Sequence, residues 1–260
     1  MKEKDKIALL GDIHGMYGRL RWMVKPSNDR CITDAYIIQV GDFGVGFYRE
    51  NYYKFEFQLL NKELEKSNCH LYVIRGNHDD PSWFKETHNP FGYKNITLLQ
   101  DYAELDLLGK SILLVGGAIS IDRQFRVKGE SYWEDETFKL KLENEFPYKD
   151  KRYDLVITHS RPGVCGAFKG FDNIKSWCDE DPSLKNDLIE ESQMLDYLYE
   201  HTKPKYWYYG HFHESNMITY KGTIFRCLNI DEYHEFKCKE QYDHLASHKS
   251  EEHTSELQSH

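Results

Sequence analysis

The sequence predicts an α/β fold in which short buried strands alternate with packing helices. Three observations carry this. Six short apolar runs each stop at a glycine or polar turn residue. Two longer stretches between them space their apolar residues as a helix does. The composition, 40% hydrophobic and 30% charged over 260 residues, is that of a folded chain, and no apolar run is long enough to cross a membrane.

The strands come in order. Lys6–Leu10 ends at Gly11-Asp12-Ile13-His14-Gly15, and Ala35–Val40 ends at Gly41-Asp42-Phe43-Gly44. His70–Ile74 ends at Arg75-Gly76-Asn77-His78-Asp79, and Ser111–Val115 at Gly116-Gly117. Asp154–Thr158 ends at His159-Ser160, and Lys205–Tyr209 at Gly210-His211-Phe212-His213. Nearly continuous apolar runs of this length suit strands buried on both faces. Thr97–Val115 reads as two strands joined at Leu108-Gly109-Lys110, and Gly222–Leu228 as a further strand. Asn51–Lys66 reads as a helix with Tyr52, Phe55, Leu59 and Leu64 near one face. Asp187–His201 reads as a second, with Leu188, Glu191, Leu195 and Leu198 on one stripe. Asp122–Lys151 and Arg161–Asn186 fit no regular pattern, and no repeat or linker divides the chain.

The net charge of −9 disfavours a footprint on extended nucleic acid, whose phosphates demand Lys and Arg. Six cysteines without a Cys-x-x-Cys pair exclude a zinc ribbon and a disulfide-dense scaffold, so a reducing cytoplasm is expected. The apolar run after Met1 is too short for a secretion signal. Residues 250–260 resemble the in-frame translation of a sequencing adapter and are set apart from the fold. Residues 241–249 read as a polar tail and 1–240 as one domain.

Polar residues at the C-terminal ends of strands converge in alternating folds. Here those ends supply Asp12, His14, Asp42, Asn77, His78, His159, His211 and His213. Asp-x-His and His-x-His each put two side chains on one side of an extended segment, which suits two ligands to one ion. Carboxylates, imidazoles and an amide without a thiolate favour Mn, Fe or Zn over a sulfur-ligated or an all-oxygen Ca site.

The order of these blocks resembles the calcineurin-like metallophosphoesterase superfamily, whose pattern runs Asp-x-His, Gly-Asp, Gly-Asn-His-Asp/Glu, a His, then Gly-His-x-His. The chain carries them as Gly11–Gly15, Gly41–Gly44, Gly76–Asp79, His159 and Gly210–His213. The resemblance implies a four-layer α/β/β/α sandwich with the site at the strand ends. It also implies a two-metal phosphoester hydrolase of broad mono- and diester specificity, whose nucleophile is a metal-bridging hydroxide. Carried over by position, Asp12, His14 and His213 would hold one ion, and Asn77, His159 and His211 the other. Asp42 would bridge them, and His78 would protonate the leaving oxygen. Two divalent ions are implied, Mn²⁺ first, with Fe or Zn as alternatives. The implied partner is a phosphoester, as a small molecule or a phosphoprotein, and no membrane.

The sequence departs from the serine/threonine protein phosphatase branch, which carries Gly-Asp-x-Val-Asp-Arg-Gly where this chain has Gly41-Asp-Phe-Gly-Val-Gly-Phe47. A carboxylate partner for the acid histidine and a phosphate-gripping arginine are therefore missing. Arg123, Arg126 and Arg161 are candidate replacements for the phosphate contact, each weighed against a solvated surface charge. Arg75 reads as support for the Gly76 turn, and Trp133–Glu136 and Trp177–Asp181 as packing segments. Protein phosphatase is kept as an alternative substrate class, and a non-catalytic binding scaffold of the same fold as an alternative of another kind.

Overall fold

The computed structural model describes residues 3–27, 31–141, 151–166 and 171–236. Strands β1 (Lys6–Leu10), β2 (Ala35–Gln39), β3 (His70–Val73), β4 (Ile96–Leu98) and β11 (Tyr233–Phe236) form one sheet, in the order β11-β1-β2-β3-β4. A second sheet holds β5 (Ala103–Leu107), β6 (Lys110–Val115), β7 (Leu155–Thr158), β8 (Tyr206–Tyr209), β9 (Asn216–Tyr220) and β10 (Thr223–Cys227), in the order β5-β6-β7-β8-β10-β9. β1 to β4 are mutually parallel, as are β6, β7, β8 and β10. β11, β5 and β9 pair antiparallel at the edges.

The apolar runs are continuous because both faces of each central strand are covered. In β1, Ile7 and Leu9 face the layer between the sheets with Ile38, Ile112, Leu114, Leu155 and Ile157. Ala8 and Leu10 face the other way, in the core that holds residues of helices α1 (Tyr17–Met23) and α2 (Glu50–Lys66). On the second sheet Leu113, Val156 and Trp207 pack with Leu195, Leu198 and Tyr199 of α4 (Leu184–Thr202). Two sheets face each other and helices flank them, as the resemblance implies. Among the described residues, no helix is long and apolar enough to cross a membrane.

Several elements differ from expectation. β4 belongs to the first sheet and the hairpin begins only at Ala103, because the chain turns at Gln100, whose carbonyl accepts the Ala103 N–H at 3.2 Å. The buried face of α2 is Tyr53, Phe57, Leu60 and Leu64, whereas Phe55 is 57% exposed. The aromatic-rich segment offers two helical stripes, and periodicity alone does not choose between them. In the stretch expected to be irregular lie α3 (Phe171–Glu180) and the first turn of α4. The short α1, β9 and β11 carry no strong pattern and are not expected from the sequence. Glu191, Leu195 and Leu198 of α4 are buried, as their spacing predicts, while Leu188 is half-buried. The expected tail and adapter-like segment lie outside the described residues.

Candidate metal centre

Five parallel strands deliver the candidate ligands from their C-terminal ends: β1 gives Asp12 and His14, β2 Asp42, β3 Asn77, β7 His159, and β8 His211 and His213. The chain must reverse just where the ligand sits. His14, Asp42, His211 and His213 accordingly adopt left-handed backbone, with φ of 47°, 57°, 67° and 49°. Such residues cost about 1–3 kcal/mol each and persist only when their surroundings hold them. Here Ile13 and His14 N–H groups donate to the Asp42 carbonyl, at 3.1 and 2.8 Å. The His211 N–H donates to the Asp12 carboxylate at 3.1 Å, and the His78 N–H to Asp42 Oδ1 at 2.7 Å. Glycine is demanded beside the ligands by close approach. A Cβ on Gly76 would lie 2.0 Å from Asp42 Oδ1, and one on Gly210 would lie 2.1 Å from Asp12 Oδ1.

Donor atoms of Asp12, His14, Asp42 and His213 lie within 4.8 Å of one another, and so do those of Asp42, His159 and His211. Asp42 belongs to both groups. His14 and His213 bring their Nε2 atoms to 3.0 Å, and His213 Nε2 lies 3.2 Å from Asp12 Oδ2. His159 Nε2 is 3.1 Å from Asp42 Oδ1 and 3.2 Å from Asn77 Oδ1. Its Nδ1 lies 2.8 Å from the Val40 carbonyl, which can only accept, so Nδ1 keeps its proton and Nε2, turned inward, is the nitrogen whose proton a cation would displace. Asp12 and Asp42 are fully buried. Burial works against Asp42's charge, but His159 beside it holds its pKa well below the ordinary value. Burial likewise pushes His159 down, yet Asp42 carries it up to about 9. Burial lowers His14 and, with His159, takes His211 well down. Two buried carboxylates among inward-facing imidazole nitrogens form a donor set suited to hard or borderline cations.

The profile of the calcineurin-like phosphoesterase family matches residues 5–215. The chain belongs to that family. A solved Thermus thermophilus protein is 11% identical, with 90% of this chain and 100% of that one covered, at a TM-score of 0.49. Phosphopantetheinyl hydrolase from Mycobacterium tuberculosis is also 11% identical, covering 93% and 99%, at 0.48. An archaeal phosphodiesterase is 12% identical, covering 89% and 99%, at 0.37. No curated protein matches the chain.

Above the donors opens a cleft of about 540 Å³, walled by His78, Asp122, Arg126, Arg161, Trp177 and Phe212 among others. Arg126 donates through Nη2 to His78 Nε2 at 2.8 Å and pairs through Nε with Asp122 at 2.6 Å. Arginine only donates, so the His78 proton lies on Nδ1. Burial pushes His78 down to about 4. The group that holds the ring, missing from the sequence pattern, is thus Arg126, with the Phe47 ring stacked 6.2 Å away. The Arg161 guanidinium lies over the Phe212 ring at 4.8 Å. Arg123 differs from expectation. It is bound to Asp181 and Asp187, both at 2.5 Å, and to Ser183 at 2.7 Å, which ties its loop to the start of α4 and away from the cleft. Ile121, Arg161, Ile174, His211 and Phe212 also line a second, mostly apolar chamber of about 280 Å³.

Three supporting residues escaped sequence reasoning. Asp79, fully buried, accepts from the backbone of Phe43, Gly44, Val45 and Gly76, so one carboxylate clamps the Asp42 loop to the Asn77 loop. Its place as the last residue of the Gly-Asn-His-Asp block was the available signal. Ser120 accepts from Asn77 Nδ2, and Glu136 takes the Ser120 N–H. Nothing in local sequence pairs 77, 120 and 136. Arg75 lies behind its turn as its position suggests, bonded to Asp101 and to the carbonyls of residues 135, 136 and 137.

Proposed function

We propose that this chain is a metal-dependent hydrolase of organic phosphoesters. The observation that carries the reading is Asp42, a fully buried carboxylate common to two donor groups on the floor of an arginine-walled cleft. Asp12, His14 and His213 would hold one divalent ion and Asn77, His159 and His211 a second, with Asp42 between them. Such ions, when bound, supply Lewis-acid charge to phosphoryl oxygens and lower the pKa of a coordinated water. Mn²⁺ suits the donor set best, with Fe or Zn as alternatives.

The remaining steps belong to the chain. The Val40 carbonyl occupies the His159 Nδ1 proton, so Nε2 is the ring nitrogen left for an ion. Arg126 and Arg161 add positive charge where phosphoryl oxygens would lie. A bound phosphoryl group competes for the Arg126 donors and favours an imidazolium at His78, which is then placed to protonate the leaving oxygen. The organic part of the ester has the apolar chamber beside His211 and Phe212 within reach.

The test is a panel of nitrophenyl monoesters and diesters, assayed as purified, after chelation and after Mn²⁺ return. Loss on chelation with recovery on Mn²⁺ supports the reading, and the preferred ester sets its class. Undiminished turnover by the stripped protein refutes it.

A further inference from the structure

Resting on the reading of Asn77 as a metal ligand, we propose that Ser120 and Glu136 are positioning residues that fix which end of the Asn77 amide faces the ions. The two ends of that amide are alike in shape and opposite in polarity: Oδ1 offers lone pairs, Nδ2 only protons. A cation can be bound by Oδ1 alone. In the structure Oδ1 lies 3.2 Å from the inward Nε2 of His159, and Nδ2 donates to Ser120 Oγ at 3.0 Å. A hydroxyl can accept or donate, so Ser120 by itself would tolerate either orientation.

Glu136 removes the choice. It is fully buried, and its Oε1 takes the Ser120 N–H at 2.7 Å. A hydroxyl proton given to this carboxyl, whose Oε1 already holds the same residue's N–H, would leave Ser120 Oγ only lone pairs for Asn77. The donor chain then runs from Asn77 to Ser120 to Glu136, and Oδ1 is left for the ion. The carboxyl's other oxygen, Oε2, has no hydrogen-bond partner among the described residues. Burying an acid this way is costly, and the fold holds it there. Arg75 donates to the carbonyls of Asp135 and Glu136, and the Ala118 N–H donates to the Glu136 carbonyl at 3.1 Å. Arg75 immediately precedes Gly76 and Asn77, so one guanidinium anchors both ligand loop and relay.

The experiment loads the ion-free full chain with Mn²⁺, following each site by calorimetric titration and the spin-coupled pair by electron paramagnetic resonance. Ser120→Ala is expected to weaken the second ion about 10–100-fold, the usual effect of losing a ligand's hydrogen-bond partner, and to leave the first unchanged. Its spectrum should be that of isolated Mn²⁺ at concentrations where the wild type shows the pair, and Ser120→Thr should restore the pair. Glu136→Gln should weaken the same ion, because the new amide can donate to Ser120 and free its hydroxyl to face Asn77. Should Ser120→Ala fail to fold, Glu136→Gln carries the test. Wild-type affinity for both ions in these variants overturns the relay, even if the ion-free chain has lost stability. A wild type that takes one ion only removes the two-ion reading, and the relay with it.

Discussion

Asp79→Asn isolates what a single buried carboxylate does for the centre. Asp79 takes four backbone N–H groups: Gly44 and Val45 on Oδ1, at 2.7 and 3.1 Å, and Phe43 and Gly76 on Oδ2, at 3.0 and 2.8 Å. Asparagine keeps one acceptor oxygen and sets an NH₂ where the other stood. Two buried N–H groups then face a donor. Leaving a buried donor unpaired costs about 1–3 kcal/mol, so the gross loss is about 2–6 kcal/mol. Removing a buried charge offsets part of it, and about 2–4 kcal/mol is expected net. Urea denaturation of the ion-free chain reads this as a lower midpoint at unchanged slope. Mn²⁺ titration should also show weaker binding at both sites, since the clamped loops carry Asp42 and Asn77. Asp80→Asn is the control, because Asp80 only caps a short turn through the Ser82 N–H at 2.9 Å. A loss below about 0.5 kcal/mol with wild-type Mn²⁺ affinity would refute the clamp, the two lost bonds together then being worth less than one typical net hydrogen bond.

Asp42→Asn should lose more bound metal than Asp12→Asn, because Asp42 stands in both donor groups and Asp12 in one; elemental analysis showing equal or reversed losses removes the shared role. His78→Ala should retain both ions while kcat falls about 10²–10⁴-fold. The fall should be steeper for an alkyl phosphate than for a nitrophenyl ester that leaves without a proton, and equal falls would exclude the leaving-group role. Arg123 beside Asp181 depresses that carboxyl to about 2. Because the folded value lies below the ordinary one, its stabilisation is whole above about pH 4 and is lost as pH falls through about 2. The stability gap between wild type and Asp181→Asn should therefore narrow over that range, and a gap independent of pH would show that the pair contributes no linked stability.

How much was legible follows from the physics of each feature. The central strands were readable because sandwiching between two layers leaves no polar face, so their runs are unbroken. Their ends were readable because the ligands follow directly, with glycines that the close approach of Asp42 and Asp12 carboxylates requires. The stripe of α4 showed because only one face of it is apolar. That of α2 did not, because Tyr52 and Phe55 compete with Tyr53 and Phe57. The supporting layer was illegible for another reason. Asn77, Ser120 and Glu136 meet only after β6 and the loop beyond it have folded over the end of β3, and Arg123 is drawn from the cleft by acids about sixty residues away. Contacts set by tertiary closure leave no local period.

The same distinction explains how the centre is built. Four candidate ligands hold backbone conformations that side chains disfavour, and two buried carboxylates face each other's histidines. Neither condition is favourable locally. Both are sustained by hydrogen bonds between the ligand loops: the Asp42 carbonyl on the His14 loop, the Asp12 carboxylate on the His211 N–H, and Asp79 across two loops. Each of these joins one strand end to another, so no ligand loop can relax without moving a second. The donors are thereby held in place by the protein, and an arriving cation would not have to organise them. A divalent ion would instead meet carboxylate charge already concentrated and imidazole nitrogens already turned inward. That order is maintained by the loops as a set, so residues that join them, and not the ligands alone, are expected to set metal affinity.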